Sequence, residues 1–241
     1  MHDQITPYQS DATKKEQVRN MFDNIAPKYD LLNRMLSLGI DQYWRRSALK
    51  KLRQYQPDHV LDVACGTGDF SIAALKYGVH EVTAVDLSAE MLSKGRDKVH
   101  SKGLESKIKM VQGDSEALAF PDDTFDAATV AFGVRNFEHL EAGLRDIRRV
   151  LKPGAPLLIL EFSRPKVFPV KQLFQFYFRT ICPLVGRLVS GDGKAYTYLY
   201  ESVQAFPERE QMADILQQQG YRSVQWRTYT FGICALYIGE K

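Results

Sequence analysis

The sequence predicts an α/β fold: a seven-stranded, mostly parallel sheet with helices on both faces and an antiparallel end. Three observations carry this. From His59 onward, short apolar runs alternate with stretches of helical periodicity, the pattern of right-handed βαβ units. The first apolar run, Val60-Leu61-Asp62-Val63-Ala64, breaks into Cys65-Gly66-Thr67-Gly68 before helical spacing resumes at Asp69-Phe70. The tail carries two consecutive strand-like runs joined only by Phe231-Gly232, which reads as an antiparallel pair at the sheet edge.

The elements follow in order. Val18, Met21, Phe22 and Ile25 recur at helical spacing until Pro27 stops them, so an amphipathic helix opens the chain. Residues 29–46 are rich in Tyr, Trp, Asn and Arg; they read either as a helical cap over the core or as a lid over a bound small molecule. Strands are expected over 60–64, 81–87, 108–113, 125–132 and 157–162, with helices over 69–77, 89–100 and 140–151 between them. A helix over 169–182 presents a wide apolar face, and a last helix over 207–219 stops at Gly220 before strands over 223–230 and 233–239. No internal repeat or low-complexity linker interrupts this. The expectation is one domain: an N-terminal cap over 1–57, a ligand-binding core over 58–163, a helical insertion over 164–206, and a closing helix and strand pair over 207–241.

Composition narrows the function classes. With 44% hydrophobic and 25% charged residues in 241, the chain has ordinary globular usage. A formal net charge of +3, without a dense Lys/Arg block, argues against a nucleic-acid partner. Cys65, Cys182 and Cys234 are scattered and lack CxxC spacing, as expected of reduced thiols in a cytoplasmic protein. The polar start, 1–17, does not have the order of a signal peptide. No apolar run reaches eighteen residues, so no membrane-spanning segment is expected.

The turn after the first strand is where such folds bind nucleotide-like ligands. Gly66-Thr67-Gly68 also fits part of a dinucleotide fingerprint, but Ser71 stands at the third glycine position and Asp69 follows the second glycine. A carboxylate there repels a pyrophosphate and suits a ligand with an amino group or cationic centre, which disfavours a nicotinamide-dependent oxidoreductase. Asp86, ending the second strand, can accept from two ribose hydroxyls. Asp114-Ser115, after the third, can accept from an adenine amine. Each Asp alone would read as a turn or helix cap; their recurrence at successive strand ends points to a nucleoside without phosphate.

These residues also carry a resemblance. Asp62 to Gly68, Asp86, Asp114-Ser115 and Arg149-Val150-Leu151-Lys152-Pro153-Gly154 are together similar to the class I S-adenosylmethionine-dependent methyltransferases, with their Rossmann-like sheet. More narrowly, Tyr29-Asp30-Leu31-Leu32-Asn33 with Leu36-Ser37 and Tyr43-Trp44, the stretch from Arg149 to Ser163, and Phe132-Gly133-Val134-Arg135-Asn136 resemble the UbiE/MenG family of quinone C-methyltransferases. Asp41 stands where that family often has His, Ala155 where a second Gly is common, and Ala131 where some members have Ser.

The resemblance implies cofactor contacts at Thr67, Asp86, Asp114 and Ser115. Chemistry adds roles: Gly66, Thr67 and Gly68 for the methionine part, Asp86 for the ribose, and Asp114 and Ser115 for the adenine. Methyl transfer to carbon depends on orienting donor and acceptor. It also needs a phenolate on the acceptor ring, whose hydroxyl has a pKa near ~10 in water. Arg135 and Asn136 are the catalytic candidates, as oxyanion donors or holders of a water. His139 is a weaker candidate for the base, and no metal site is expected.

For the acceptor, Tyr29, Tyr196 and Tyr198 are the candidate contacts, the last two after a Gly191-Asp192-Gly193 turn. The apolar insertion either packs on the domain or serves as a channel or membrane-surface element, with Lys166, Lys171, Arg179 and Arg187 near lipid headgroups. A homodimer is compatible with this. The function so implied is C-methylation of a polyprenyl hydroquinone, demethylmenaquinol first and the ubiquinone-pathway benzoquinol, or both, second. A nucleoside-binding regulator or assembly scaffold is the non-enzyme alternative.

Overall fold

The computed structural model describes residues 5–8, 10–190 and 193–241, with backbone alone for 188–190. The Gly191-Asp192 part of the expected turn lies outside these. Seven strands form one sheet in the order β3-β2-β1-β4-β5-β7-β6: β1 His59–Val63, β2 Glu81–Asp86, β3 Ile108–Gln112, β4 Ala127–Ala131, β5 Pro156–Phe162, β6 Arg222–Tyr229 and β7 Cys234–Glu240. The first five pair in parallel. The chain winds outward from β1 to β3, then crosses back to lay β4 on the other side of β1. Strand order therefore reverses between β1 and β4, and a crevice opens beyond their carboxyl ends.

β7 pairs antiparallel with both β5 and β6. The pair stands at one end of the sheet, as the sequence predicts, with β6 outermost and β7 between it and β5. Burial explains the order. Cys234, Ala235, Leu236 and Tyr237 are all buried, whereas β6 buries only Tyr229 along its length. A run apolar on both faces needs neighbours on both sides.

Helices α4 Asp69–Leu75, α5 Ala89–Ser101 and α6 Leu140–Val150 make the crossovers, and α10 Glu210–Gln218 precedes β6. The two faces carry separate cores. Leu144, Ile147 and Met212 fill one with Leu61 and Val130. Leu49, Leu52, Phe70 and Leu92 fill the other with Val60 and Val82.

The cap is three helices: α1 Lys14–Ile25, α2 Tyr29–Ser37 and α3 Ile40–Leu52. Leu38 and Gly39 both adopt positive φ and turn the chain between the last two. The helix expected over 169–182 is found as α7 Val170–Phe176, a π turn Tyr177–Ile181 and α8 Cys182–Ser190. Pro183 has no N–H for the carbonyl four residues back, so the helix widens just before it. With α9 Gly193–Ala205, this insertion shares a third core with the cap, including Met21, Leu32, Phe174, Phe178 and Tyr198.

Candidate active site

The crevice beyond β1 is shaped by backbone that few residues tolerate. Ala64 (φ 54), Gly66 (φ 56) and Gly68 (φ 77) turn the chain out of β1, and Phe132 (φ 61) does the same beyond β4. Two non-glycine residues in the left-handed region at facing strand ends hold local strain, as functional sites often do. Gly133 has ordinary φ, but a Cβ there would lie 2.5 Å from the Ala64 Cβ. Only glycine lets these two turns approach.

Asp86 ties the turn to β2. Its Oδ2 accepts from the Gly66 N–H at 2.7 Å and its Oδ1 from the Ser88 N–H at 2.9 Å. A carboxylate offers about four lone-pair sites, so it retains capacity for ligand hydroxyls. Burial raises its pKa, against the lowering effect of the backbone donors. Ser88 Oγ caps α5 by accepting from the Met91 N–H and donates to Asp23 on α1.

Thr67 and Asp69 line the crevice and also have a partner within the chain. Lys98 of α5 reaches Asp69 at 2.7 Å, Asp30 at 2.5 Å and the Thr67 hydroxyl at 2.8 Å, and that hydroxyl donates to Asp30 at 2.7 Å. The cation beside Asp69 thus comes from the chain itself, and it staples α2 to the glycine turn. Asp114 likewise pairs with Lys15 of α1 at 2.6 Å and accepts from the Glu116 N–H.

These groups surround a cavity of about 440 Å³. Gly66, Thr67, Asp86, Asp114, Ser115 and Asn136 line it; Gly68 and Arg135 do not. Asn136 Oδ1 is buried there without a hydrogen-bond partner, an acceptor placed for a ligand donor. Acceptors for hydroxyl and amino groups face the space at Asp86, Asp114 and Asn136 Oδ1. That acceptor set fits the ribose and adenine of a nucleoside such as S-adenosylmethionine.

A second cavity of about 500 Å³ lies between cap and insertion, lined by apolar side chains including Phe162, Phe174, Phe178 and Ile233. Tyr29, Tyr196, Tyr198 and Arg135 all face it. Phe22, Tyr29, Asn33, Asp41, Arg45 and Phe132 line both spaces, so the cavities meet there. Tyr177 donates to the Leu36 carbonyl at 2.8 Å and ties the insertion to α2 across the roof.

Arg135 is held by its surroundings. Its Nη1 donates to the Phe132 carbonyl at 2.5 Å and to Glu161 at 2.9 Å, and the guanidinium lies 5.6 Å from the Phe162 ring centre. Glu161 is fully buried. The sequence missed it, although a lone acid in the apolar run 157–162 was a visible signal. Tyr198 buries its hydroxyl without a partner, and burial raises its pKa. Tyr196 packs edge-on against Gly186, where a Cβ would lie 2.0 Å from its ring.

His139 is exposed and lines neither cavity. Among the described residues, Glu116, Glu138 and His139 bring ligand-type atoms within 4.8 Å. Local structure accounts for them: Glu116 accepts from the Glu138 and His139 N–H groups, and Glu138 from the Lys14 N–H.

A nucleoside-type crevice beside an apolar cavity is open to many reactions; similarity narrows them. The model of the ubiE/COQ5 methyltransferase family matches residues 10–241. The chain belongs to that family. It is 47% identical over 240 residues to the demethylmenaquinone methyltransferase of Bacteroides fragilis, covering 99% of this chain and 98% of that one. Identity is 44% over 230 residues to the ubiquinone/menaquinone biosynthesis C-methyltransferase UbiE of Geobacter sulfurreducens, with 95% and 90% covered. Among solved structures, a SAM-dependent methyltransferase of Thermotoga maritima superposes with TM-score 0.65 at 16% identity, covering 92% of this chain and 99% of that one. That likeness concerns the fold, a class I methyltransferase sheet. No helix among the described residues of this family member is long and apolar enough to cross a membrane.

Proposed function

We propose that the protein is an S-adenosylmethionine-dependent C-methyltransferase that converts demethylmenaquinol to menaquinol. The observation that carries this is the pair of cavities, one polar and nucleoside-sized and one apolar, meeting at Tyr29 and Phe132. The names of the 47% and 44% identical relatives support the quinone pathway, and the second name keeps the ubiquinone precursor as an alternative acceptor.

The bound donor supplies an electrophilic sulfonium methyl. In this reading, Gly66, Thr67 and Gly68 shape the turn against its methionine part. Asp86 accepts from the ribose hydroxyls, Asp114 and Ser115 face the adenine side, and Asn136, whose Oδ1 has no hydrogen-bond partner, keeps its assignment to the reacting groups. Tyr29, Tyr196 and Tyr198 pack on the acceptor ring and the start of its tail. Arg135, fixed by Glu161 and the Phe132 carbonyl, keeps a positive charge beside an apolar cavity. There it stabilises the phenolate that makes the ring carbon nucleophilic.

The mouth of the apolar cavity is rimmed by Leu38, Leu173 and Phe176, exposed by 80%, 63% and 60%. Lys171, Arg179 and Arg187 on the insertion are also exposed. Such a rim suits a cytoplasmic enzyme that collects a prenylated substrate at a membrane surface. Flotation with anionic vesicles tests it, and absence of binding at low salt removes this part of the proposal.

The main test incubates the protein with labelled S-adenosylmethionine and reduced demethylmenaquinone or the ubiquinone precursor. Label is expected in the naphthoquinol product, and transfer to neither acceptor overturns the function. Arg135→Ala is expected to lower kcat by about 10²-fold or more; unchanged turnover removes Arg135 from the mechanism.

A further inference from the structure

Activation of the acceptor needs a group that takes a hydroxyl proton, and Arg135, tied to Glu161, is charged and cannot. The chain offers few others. The groups that face the apolar cavity with titratable or charged atoms are Arg45 on α3, Tyr29 on α2, Arg135 beyond β4, Tyr177 in the π turn, Cys182 on α8, and Tyr196 and Tyr198 on α9, together with Asp41. Burial raises the pKa of Tyr29, Tyr177 and Tyr198 and pushes the Cys182 thiol up to about 12. They stay protonated at neutral pH. Asp41 is the one carboxylate lining this cavity among the described residues.

Its placement is specific. Asp41 also lines the polar cavity, so it stands where the two spaces join and methyl transfer would occur. Its side chain is 16% exposed. Oδ1 accepts from the Ser37 hydroxyl at 2.6 Å, and Oδ2 lies 3.4 Å from Arg45 Nε one helical turn on. The Nε is buried and makes no hydrogen bond, so this is an ion pair without hydrogen-bond geometry. The Arg45 guanidinium stands 5.6 Å from the centre of the Phe132 ring, another wall of the junction. A carboxylate with spare acceptor capacity, next to a cation without a hydrogen bond at Nε, can accept a hydroxyl proton on one atom and steady the resulting oxyanion with the other.

We infer that Asp41 is the general base of the reaction, taking the proton of the acceptor hydroxyl while Arg45, on the same cavity as Arg135, shares in stabilising the phenolate. This rests on the methyltransferase function proposed above. The O–H bond of the acceptor breaks and its proton moves to Asp41, while the electron pair stays on oxygen and conjugates into the ring. Attack of the ring carbon on the donor's methyl group forms the new C–C bond as the methyl–sulfur bond breaks, the electron pair of that bond staying on sulfur, which leaves as a neutral thioether. The methylated ring carbon then loses its own proton to water and the ring regains aromaticity. Asp41 then returns its proton to the ring oxygen. One proton is released per turnover, and the carboxylate is regenerated.

The first readout needs no donor and no turnover. Affinity for 1-naphthol is compared with that for naphthalene, which fits the same apolar space without a hydroxyl. A hydrogen bond to a charged acceptor corresponds to about a 10- to 100-fold preference for naphthol. Asp41→Asn is expected to reduce that preference about tenfold while leaving S-adenosylmethionine affinity within about twofold. The second readout is the pH profile. With donor saturating, which removes the effect of Asp62 and Asp86 on donor binding, wild-type kcat/KM for the acceptor should rise with pH through an acidic limb. Asp41→Asn should lower kcat about 10²- to 10⁴-fold and abolish that limb, its activity rising only towards the phenol's own pKa near ~10. Asp41→Glu should restore part of kcat and the limb.

Wild-type turnover with no loss in Asp41→Asn, or an unchanged limb, overturns the assignment and leaves the function standing. No wild-type turnover on any quinol overturns the function instead. Should Asp41→Asn fail to fold, the wild type still decides: no preference for naphthol over naphthalene, or no acidic limb, overturns it.

Discussion

At the scale of single residues, Asp62 shows what the site imposes on stability. It sits in the middle of β1, 1% exposed, and accepts from the Ser71 hydroxyl at 2.5 Å and the Thr129 hydroxyl at 2.8 Å. Desolvation raises its pKa from 3.8 to about 6, more than those two donors lower it. A raised folded-state pKa means that its contribution is present below the unfolded value and lost as pH rises through about 6. At roughly 1.36 kcal/mol per unit, the loss is about 3 kcal/mol. Asp62→Asn cannot ionise, so its stability relative to wild type should rise by up to that amount between about pH 4 and pH 7, measured by urea unfolding of both proteins at each pH. A flat difference would mean that the carboxyl is not perturbed. Asp86 makes the complementary point: Asp86→Asn should weaken S-adenosylmethionine binding about 10- to 100-fold, the worth of hydrogen bonds to a charged group, by calorimetric titration. Asp86 was legible because a strand end and an acid coincide there. Asp41 was legible only as a departure from a motif, since its importance depends on Arg45 one turn away and on walls contributed by other elements.

Among the elements, α1 is the one whose loss should reach the site. Thr13 and Glu16 form a capping box: the Thr13 hydroxyl accepts from the Glu16 N–H, and the Glu16 carboxylate accepts from the Thr13 N–H. The helix so fixed delivers Lys15 to Asp114 and presents Val18, Arg19 and Phe22 to the polar cavity. Thr13→Ala should cost about 1 kcal/mol and raise the donor's Kd several-fold without changing kcat. Denaturant unfolding, titration and saturating-donor kinetics check the three parts, and an unaltered Kd would show α1 to be a bystander. The sequence predicts this helix well because Val18, Met21, Phe22 and Ile25 repeat at helical spacing. It predicts the insertion less well. A single proline at 183 divides an otherwise uniform apolar pattern into α7, a π turn and α8, and hydrophobicity does not register a missing N–H.

For the molecule as a whole, the parallel half of the sheet was legible, since strand, turn and helical crossover repeat locally from β1 to β3 and again from β4 to β5, with a helix-free link between β3 and β4. The place of β7 between β5 and β6 was not, because it is decided by burial on both faces rather than by adjacency in sequence. The apolar cavity was the least legible feature. Cap, the carboxyl ends of β4 and β5, and insertion each give it a wall, and residues as distant as Met21 and Ile233 meet across it. That construction limits what it can enclose. A cavity of about 500 Å³ lies in the range that holds one drug-sized molecule, enough for a two-ring quinol and the first isoprene units. A longer tail must leave past Leu38, Leu173 and Phe176 at the rim. In detergent, KM should therefore fall from an acceptor without a tail to one with about two isoprene units, as apolar area is buried at roughly 25 cal/mol per Å². It should then level off for longer tails, while kcat stays constant because the reacting ring sits at the same junction. Steady-state kinetics on acceptors of graded tail length decide this. A KM that keeps falling by the same factor with every added unit would mean that the protein encloses the whole tail, and that the apolar space extends beyond the cavity described between cap and insertion.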